Sequence, residues 1–203
     1  MDRFARAKLA RAATALNCGS ALPALVLMTD DERLPDPLAA AAALPRGSMV
    51  VVRTRQASHR AKLARALAPI ARARRLTLLV ANDAPLAARV RAHGLHLSES
   101  RAREAGHWRA LRPRWLITAA AHSLEACVAA KRSGADAVFL APVFATSSHP
   151  NRRGLGSLRA RMIARDARLP VYALGGIDSR RALQLAHSPF AGLAAIGALA
   201  ACR

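Results

Sequence analysis

Short apolar runs rich in Val, Leu and Ile recur along the chain at intervals of about 20 to 25 residues, separated by Ala- and Arg-rich segments with helical spacing. We predict eight strands, at residues 24–29, 49–54, 76–80, 94–97, 115–119, 137–141, 171–174 and 193–196. Strands that alternate with helices pair in parallel through right-handed crossovers. Eight such units without a polar edge strand favour an α/β fold, a single (β/α)8 TIM barrel, over an open doubly wound sheet.

The two ends of the chain predict departures from a regular barrel. Residues 1–18 are expected to form an extra N-terminal helix, because 1–16 is amphipathic; its Arg-rich, acid-poor composition also suits a transit peptide. Only seven residues, 197–203, follow Ile196, so the last helix should be truncated. Either the N-terminal helix or a partner subunit in a homodimer can cover the resulting gap. No linker divides the chain, which we interpret as one domain over 1–203.

The chain is strongly basic. Its 203 residues include 32 Lys+Arg and 12 Asp+Glu, a net charge of +20, so a nucleic acid or another polyanion is one alternative partner. The arginines are spread over nearly every predicted helix, however, and only 3% of the residues are aromatic, too few for the stacking platforms of a single-strand binder. The expected partner is therefore a small anionic substrate and not nucleic acid.

Cysteine usage and hydropathy indicate the compartment. Three cysteines without CxxC spacing argue against a disulfide framework and against a structural zinc site. No apolar run approaches the length of about 18 residues that spans a bilayer. We expect a cytoplasmic protein without membrane contact.

Glycines follow the last two predicted strands. Gly175 and Gly176 close the seventh strand, and Gly197 comes after Ile196 at the end of the eighth. At the carboxyl ends of barrel strands, the backbone N–H groups of such glycines can approach an anion without an intervening Cβ. A helix beginning near Asp178 would direct its N-terminus toward the same anion. We predict a phosphate-binding site here, with a plain turn as the alternative.

Polar side chains that could take part in catalysis or metal binding lie at three other strands. Asn82 and Asp83 end the third strand, where they can hold Mg²⁺ through oxygen ligands. Asp83 before Pro85 is equally typical of a helix N-cap. His96 lies within the fourth strand, and alternation predicts a buried, hydrogen-bonded core histidine there. His122 follows the fifth strand, where a general acid–base role and a loop-shaping role both stay open.

Two further polar sets occupy strand ends. Arg53 and Arg55 end the second strand with the same side-chain parity, so both can face the barrel mouth and bind a diphosphate or carboxylate, unless they are only surface charge. A polar loop that can close over a substrate follows the sixth strand. Its polar residues are Thr146, Ser147, Ser148, His149, Asn151, Arg152 and Arg153.

Several blocks, in their order along the chain, resemble one known family. They are LLVANDAPLA, GLHLSES, AAHSLEA, GADAVFLAPVFATSS with a following GLG, and LPVYALGGI. Over residues 24–200 these blocks resemble the thiamine-phosphate synthase family and its TenI-type relatives. The resemblance implies a cytoplasmic barrel of thiamine biosynthesis. It would join hydroxymethylpyrimidine diphosphate to thiazole phosphate and release pyrophosphate, with Mg²⁺ steadying the leaving group.

The resemblance also assigns roles to residues of this chain. The implied catalytic residues are Arg53, Arg55, His122 and Thr146. The implied substrate- and phosphate-binding residues are Asn82, Ser148, His149, Gly175, Gly176, Ile196 and Gly197. Asp83 is the implied metal ligand.

The chain departs from the family pattern at several of these positions. Val51 stands where the family has glutamine, Arg55 and His149 where it has lysine, and Ala120 where it has serine. Pro142 occupies the position of the histidine that is typical of TenI tautomerases. The alternative to a synthase is therefore a diverged relative that binds a thiazole phosphate or a similar ligand without synthase activity.

The substitution at Arg101 matters most for Mg²⁺. The second carboxylate that the metal needs is expected there, and a guanidinium repels a divalent cation, so Asp83 would hold Mg²⁺ poorly alone. Arg101 can instead contact a diphosphate itself, with Glu99 or Glu104 serving the metal. The family resemblance thus implies Mg²⁺, but Arg101 argues against binding of this ion by this chain.

Overall fold

Eight parallel strands close on themselves in chain order. The computed structural model describes residues 3–17, 20–146 and 154–200. The strands are β1 (Leu25–Met28), β2 (Met49–Val52), β3 (Thr77–Ala81), β4 (Gly94–Leu97), β5 (Leu116–Ala121), β6 (Ala137–Leu140), β7 (Val171–Leu174) and β8 (Gly192–Ala195). Each strand pairs in parallel with the next, and β8 pairs with β1 in the register Leu25 opposite Leu193. The predicted (β/α)8 barrel is confirmed.

Alternate strand residues fill the inside of the barrel. These side chains are Val26, Met28, Met49, Val51, Leu79, Ala137, Phe139, Tyr172 and Ala194. The rings of Phe139 and Tyr172 stack with centroids 4.8 Å apart, and the Tyr172 hydroxyl donates to the carbonyl of Pro23 at 2.8 Å, just before β1. Because the interior is packed, a ligand must bind above it, at the carboxyl ends of the strands.

The outward-facing strand residues pack against a layer of helices. These are α1 (Arg3–Leu16), α2 (Pro37–Ala42), α3 (Ala57–Arg74), α4 (Ala84–Arg89), α5 (Ala105–Leu111), α6 (Leu124–Arg132) and α7 (Ser157–Asp166). Side-chain oxygens start three of them by accepting a backbone N–H: Asp36 for α2, Asp83 for α4 and Ser123 for α6. Three short 3₁₀ helices complete the described part of the chain, at Glu99–Glu104, Arg181–Leu185 and Gly197–Leu199.

The outer layer is thin after the last two strands. Of the residues beyond β8 that the structure describes, 197–199 form a single 3₁₀ helix, which confirms the truncated last helix. Helix α1 covers this side by packing against β8 and the 3₁₀ helix Arg181–Leu185. Arg6 of α1 also donates to the carbonyl of Ala200 at 3.0 Å. The extra N-terminal helix therefore fills the gap that the sequence predicted.

The segment after β7 differs from the prediction. A helix beginning near Asp178 was expected, but a five-residue 3₁₀ helix, Arg181–Leu185, stands in its place. Asp178 does act as a local cap, since Oδ1 accepts the backbone N–H groups of Arg180 and Arg181 at 2.9 and 2.8 Å. So short a helix has no appreciable macrodipole to offer an anion, so any phosphate site here depends on loop backbone and side chains.

Among the residues described, the longest helices are too short or too polar to cross a membrane.

Candidate functional site

A cavity of about 530 Å³ opens at the carboxyl ends of β7 and β8. It brings together residues from four loops that lie far apart in the sequence: Arg33, Thr146, Gly175, Gly176, Arg181, Ile196 and Gly197. Five of these seven were predicted as site residues, namely Thr146, Gly175, Gly176, Ile196 and Gly197. We call the cavity lined by these seven residues the cradle.

The two adjacent glycines of the cradle are required by their backbone conformation. Gly175 has φ +94° and Gly176 has φ +65°, a region that favours glycine. A Cβ on Gly175 would lie 2.8 Å from the Cα of Pro142, and one on Gly176 would lie 2.6 Å from the carbonyl oxygen of Ala145. The glycine pair therefore lets the loops after β6 and β7 pack together, which confirms the turn, and phosphate binding at this turn stays a prediction.

Gly197 differs from the glycine pair. A Cβ there would meet only the carbonyl oxygen of Arg33, at 3.7 Å, an ordinary van der Waals distance. The residue is exposed, so a side chain at this position would project without strain. Gly197 is thus free to carry a substituent that changes the charge of the cradle.

Two arginines border the cradle, although the sequence did not lead us to assign them to the site. Arg181 donates from Nη1 to the carbonyls of Gly176 at 3.0 Å and Ala145 at 3.4 Å, and its guanidinium lies 5.6 Å from the centre of the Phe144 ring. Arg33 donates from Nε and Nη2 to the two oxygens of Asp30, at 3.2 and 2.8 Å. Burial raises the pKa of Asp30, but the hydrogen bonds from Arg33 outweigh it and lower the pKa to about 2.

The arginines after β2 are held by the loop that follows β1. Arg53 is half exposed, and its Nη1 lies 3.3 Å from Oδ2 of Asp30. Its backbone N–H donates to the hydroxyl of Thr29, which in turn donates to the Arg53 carbonyl, both at 2.8 Å. Arg55 is 80% exposed and pairs with Glu32 at 3.0 Å. Both face the carboxyl end of the barrel, but only Arg53 lies against its rim.

The predicted metal ligand Asp83 has a structural role. Its Oδ1 accepts the backbone N–H of Leu86 at 3.0 Å, the N-cap of α4, and its Oδ2 lies 3.8 Å from Nε of Arg60. Asn82 has φ +54°, and its side-chain oxygen accepts the N–H of Ser98 at 2.8 Å. The N-cap alternative for Asp83 is confirmed, and the amide oxygen of Asn82 is already engaged.

Arg101 lies beside these residues, in the 3₁₀ helix after β4. Its Nε and Nη2 donate to the two oxygens of Glu104 at 2.6 and 2.8 Å, and its Nη1 donates to the carbonyl of Asn82 at 2.7 Å. Glu99 is also engaged, because Oε2 accepts the backbone N–H of His122 at 2.8 Å. The two carboxylates that could have replaced the missing ligand are therefore both committed.

The two histidines of the barrel differ in environment. His96 is buried inside the barrel, with Nδ1 2.9 Å from the hydroxyl of Thr118 and its ring edge-on to Phe139. Burial, reinforced by the charge of Arg53, lowers the pKa of His96 to about 3, so it is a neutral core residue as predicted. His122 is exposed at the end of β5, where Nδ1 hydrogen-bonds to the carbonyl of Ala141.

The remaining predicted residues divide between the cradle and the undescribed part of the chain. Thr146 is partly buried at the rim of the cradle. Ser148 and His149, with the rest of 147–153, lie outside the described residues. Val51 is fully buried inside the barrel, where a valine packs without needing a hydrogen-bond partner.

Comparison with known proteins points to one family. Residues 25–199 match the family model described as thiamine monophosphate synthase. The chain is 29% identical to the thiamine-phosphate synthase of Chlorobium luteolum, over 87% of this chain and 85% of that protein. It is 31% identical to the corresponding enzyme of Chloroflexus aurantiacus, over 79% of this chain and 76% of that one.

A solved structure shares the fold. The thiamine phosphate pyrophosphorylase of Pyrococcus furiosus superimposes with a TM-score of 0.71 at 24% identity, covering 87% of each chain. At that identity the likeness concerns the barrel alone. The match of the family model over nearly the whole barrel, however, extends to the loops that build the cradle: this chain belongs to the thiamine monophosphate synthase family.

Proposed function

We propose that this chain is a thiamine-phosphate synthase-type transferase that binds a thiazole phosphate in the cradle. The observation that carries the proposal is the convergence of the loops after β6, β7 and β8 on one cavity of about 530 Å³, lined by Gly175, Gly176 and Gly197 and bordered by Arg33 and Arg181. Glycine backbone and guanidinium groups are the usual binding groups for phosphate in proteins. Membership of the family supports this ligand over other phosphate esters.

The reaction requires one displacement at carbon. The thiazole nitrogen attacks the methylene of hydroxymethylpyrimidine diphosphate, and the C–O bond breaks so that pyrophosphate leaves with the electron pair. The chain's part is to orient the two substrates and to neutralise the charge that develops on the diphosphate. Arg53 at the rim of the barrel would supply part of that charge, and Thr146 and His122, on the loops after β6 and β5, would act beside the substrates.

Binding to the cradle is tested by a substitution that changes charge without strain. Gly197→Asp should weaken thiazole phosphate binding about 100-fold, because the new carboxylate faces the phosphate dianion at close range. Gly197→Ser is the matched control: it adds a side chain in the same open position, and it should bind within about twofold of the native chain. Isothermal titration calorimetry measures both. Equal affinities of the two variants would contradict the cradle.

Catalysis is tested separately from binding. When the chain is mixed with both substrates, we expect thiamine phosphate and pyrophosphate to form in equal amounts. Chromatography of the products measures the two amounts. His122→Gln tests the role of the histidine: a lower kcat with an unchanged affinity for thiazole phosphate places it in catalysis, whereas an unchanged kcat leaves it only a loop residue.

A binding protein without synthase activity is the second candidate. The observation that favours it is the closed ion pair between Arg101 and Glu104 beside Asp83, where the family needs two carboxylates for Mg²⁺. Asp83 and Arg101 do not fit a Mg²⁺ site, so no step of the proposed reaction runs through this ion. Thiazole phosphate that binds tightly but yields no product with the diphosphate would identify this second function.

A further inference from the structure

At the rim of the barrel between β3 and β4, the carboxylate of Asp83 lies near the guanidinium groups of Arg60 and Arg101. Oδ2 of Asp83 lies 3.8 Å from Nε of Arg60, and this buried nitrogen has no hydrogen-bond partner. The charge of Arg101 also acts on Asp83. In the part of the chain that the structure describes, no three His, Cys, Asp or Glu side chains group closely enough to hold a metal ion. A divalent cation would therefore meet the positive charges of Arg60 and Arg101, while the carboxylate of Asp83 already caps a helix and that of Glu104 already pairs with Arg101.

Arg101 is fixed in this place by several contacts. Its guanidinium is bound by both oxygens of Glu104 and by the carbonyl of Asn82, at distances of 2.6 to 2.8 Å. Asn82 is itself fixed at the end of β3, because its backbone N–H donates to the carbonyl of His96 and its side chain accepts from Ser98. The guanidinium therefore bridges the carboxyl ends of two adjacent strands.

Arg101 retains binding capacity toward solvent. A guanidinium has five N–H donors, and three of those on Arg101 are used by Glu104 and Asn82, which leaves two. The side chain is 39% exposed. The guanidinium of Arg101 is held rigidly on one side and is open to solvent on the other. It is therefore well suited to bind two oxygens of a phosphate.

We infer that Arg101 takes the place of the divalent cation in this chain, so that its guanidinium binds the diphosphate of the second substrate without a metal. The inference rests on the proposed function, because the diphosphate is part of hydroxymethylpyrimidine diphosphate, the substrate that would react with the thiazole phosphate in the cradle. Arg53, at the end of the adjacent strand β2, adds positive charge on the same rim, partly offset by Asp30. Pyrophosphate leaves with the C–O electron pair, and the guanidinium remains protonated throughout.

Inorganic pyrophosphate is the probe for this site. Calorimetric titration of the full chain in EDTA should show binding, and Arg101→Gln should weaken it by about tenfold or more, since a charged bidentate contact is lost. Arg103→Gln is the matched control, because it removes the same charge from an exposed residue of the same 3₁₀ helix. It should change the affinity by less than about twofold. Equal losses in the two variants would overturn the inference.

A second pair of measurements does not depend on how well Arg101→Gln folds. Glu104→Gln removes the counter-charge of Arg101 while keeping an oxygen to accept its N–H, so pyrophosphate should bind more tightly. Electron paramagnetic resonance of Mn²⁺ should show no protein-bound ion in the native chain and a bound ion in Arg101→Asp, which supplies the second carboxylate. Mn²⁺ that the native chain binds and Asp83→Asn loses would overturn the inference, as would pyrophosphate binding that requires Mg²⁺.

Thiazole phosphate separates a failure of this inference from a failure of the proposed function. The Arg101→Gln variant should bind thiazole phosphate as the native chain does, because the cradle lies at β7 and β8. If thiazole phosphate binds and pyrophosphate does not, only the role of Arg101 is refuted. If pyrophosphate binds through Arg101 and thiazole phosphate does not bind at all, the cradle and the proposed function fail.

Discussion

At the scale of single residues, the glycines of the cradle are held by different physical constraints. Gly176 has φ +65°, and a Cβ there would lie only 2.6 Å from the carbonyl oxygen of Ala145. A Cβ on Gly197 would make only an ordinary contact, 3.7 Å from the carbonyl oxygen of Arg33. Gly176→Ala should therefore lower the free energy of unfolding by about 1 to 3 kcal/mol. Gly197→Ala should change it by less than about 0.5 kcal/mol. Urea unfolding measures both, and an equally stable Gly176→Ala variant would show that the β6 and β7 loops yield easily.

His96 predicts how stability depends on pH. Its pKa is about 3 in the folded chain and near 6.5 when unfolded, so the unfolded state takes up the proton first as pH falls. The contribution of His96 is complete above pH 6.5 and is lost as pH falls toward 3, with about 2 kcal/mol lost between pH 7 and pH 5. Urea unfolding at these two pH values should show that loss in the native chain and in the exposed-site control His107→Gln. His96→Gln should abolish it.

Some residues of the site could not be predicted from the sequence. Gly175, Gly176 and Gly197 were found because strand ends with small residues are visible in a one-dimensional pattern. Arg33 and Arg181 carry no such signal: Arg33 lies in a turn and Arg181 begins a short 3₁₀ helix, among many arginines of the same appearance. Only the closure of the barrel brings the loop after β1 beside the loops after β7 and β8.

At the scale of elements, Asp83 serves helix α4 through a contact that does not require a metal. Asp83→Ala should destabilise the chain by about 1 kcal/mol, while Asp83→Asn should be nearly neutral because asparagine caps equally well. Asp36→Ala, which removes the cap of α2 on another part of the barrel, is the control and should cost a similar amount. Thermal unfolding with and without Mg²⁺ measures all three. A loss of Mg²⁺ stabilisation in Asp83→Asn alone would indicate a metal role.

The strands were predictable from the sequence, and the 3₁₀ helix after β7 was not. A buried parallel strand is a short apolar run, which any strand of this barrel shows in its sequence. The segment after β7 was expected to form a helix beginning near Asp178, and Asp178 does accept the backbone N–H of Arg181. Helix α1 packs against this segment, and a contact between such distant parts of the chain leaves no local signal in the sequence.

At the scale of the whole molecule, the net charge of +20 attracts anions without specifying one. The arginines are distributed around the barrel, so we expect only weak duplex DNA binding, lost between about 50 and 200 mM salt. Thiazole phosphate affinity should fall much less over the same range, because its phosphate is enclosed by the cradle. Fluorescence anisotropy and calorimetry measure the two. Tight DNA binding that persists above 200 mM salt would favour a polyanion-binding function.

The central claim is that a phosphate-bearing ligand binds at the carboxyl ends of β7 and β8. A crystal structure of the chain grown with thiazole phosphate tests it most directly. We predict a phosphate within hydrogen-bonding distance of backbone N–H groups at Gly176 and Gly197, with Arg181 at its side. A phosphate bound elsewhere on the barrel, with the cradle empty at saturating ligand, would contradict the account.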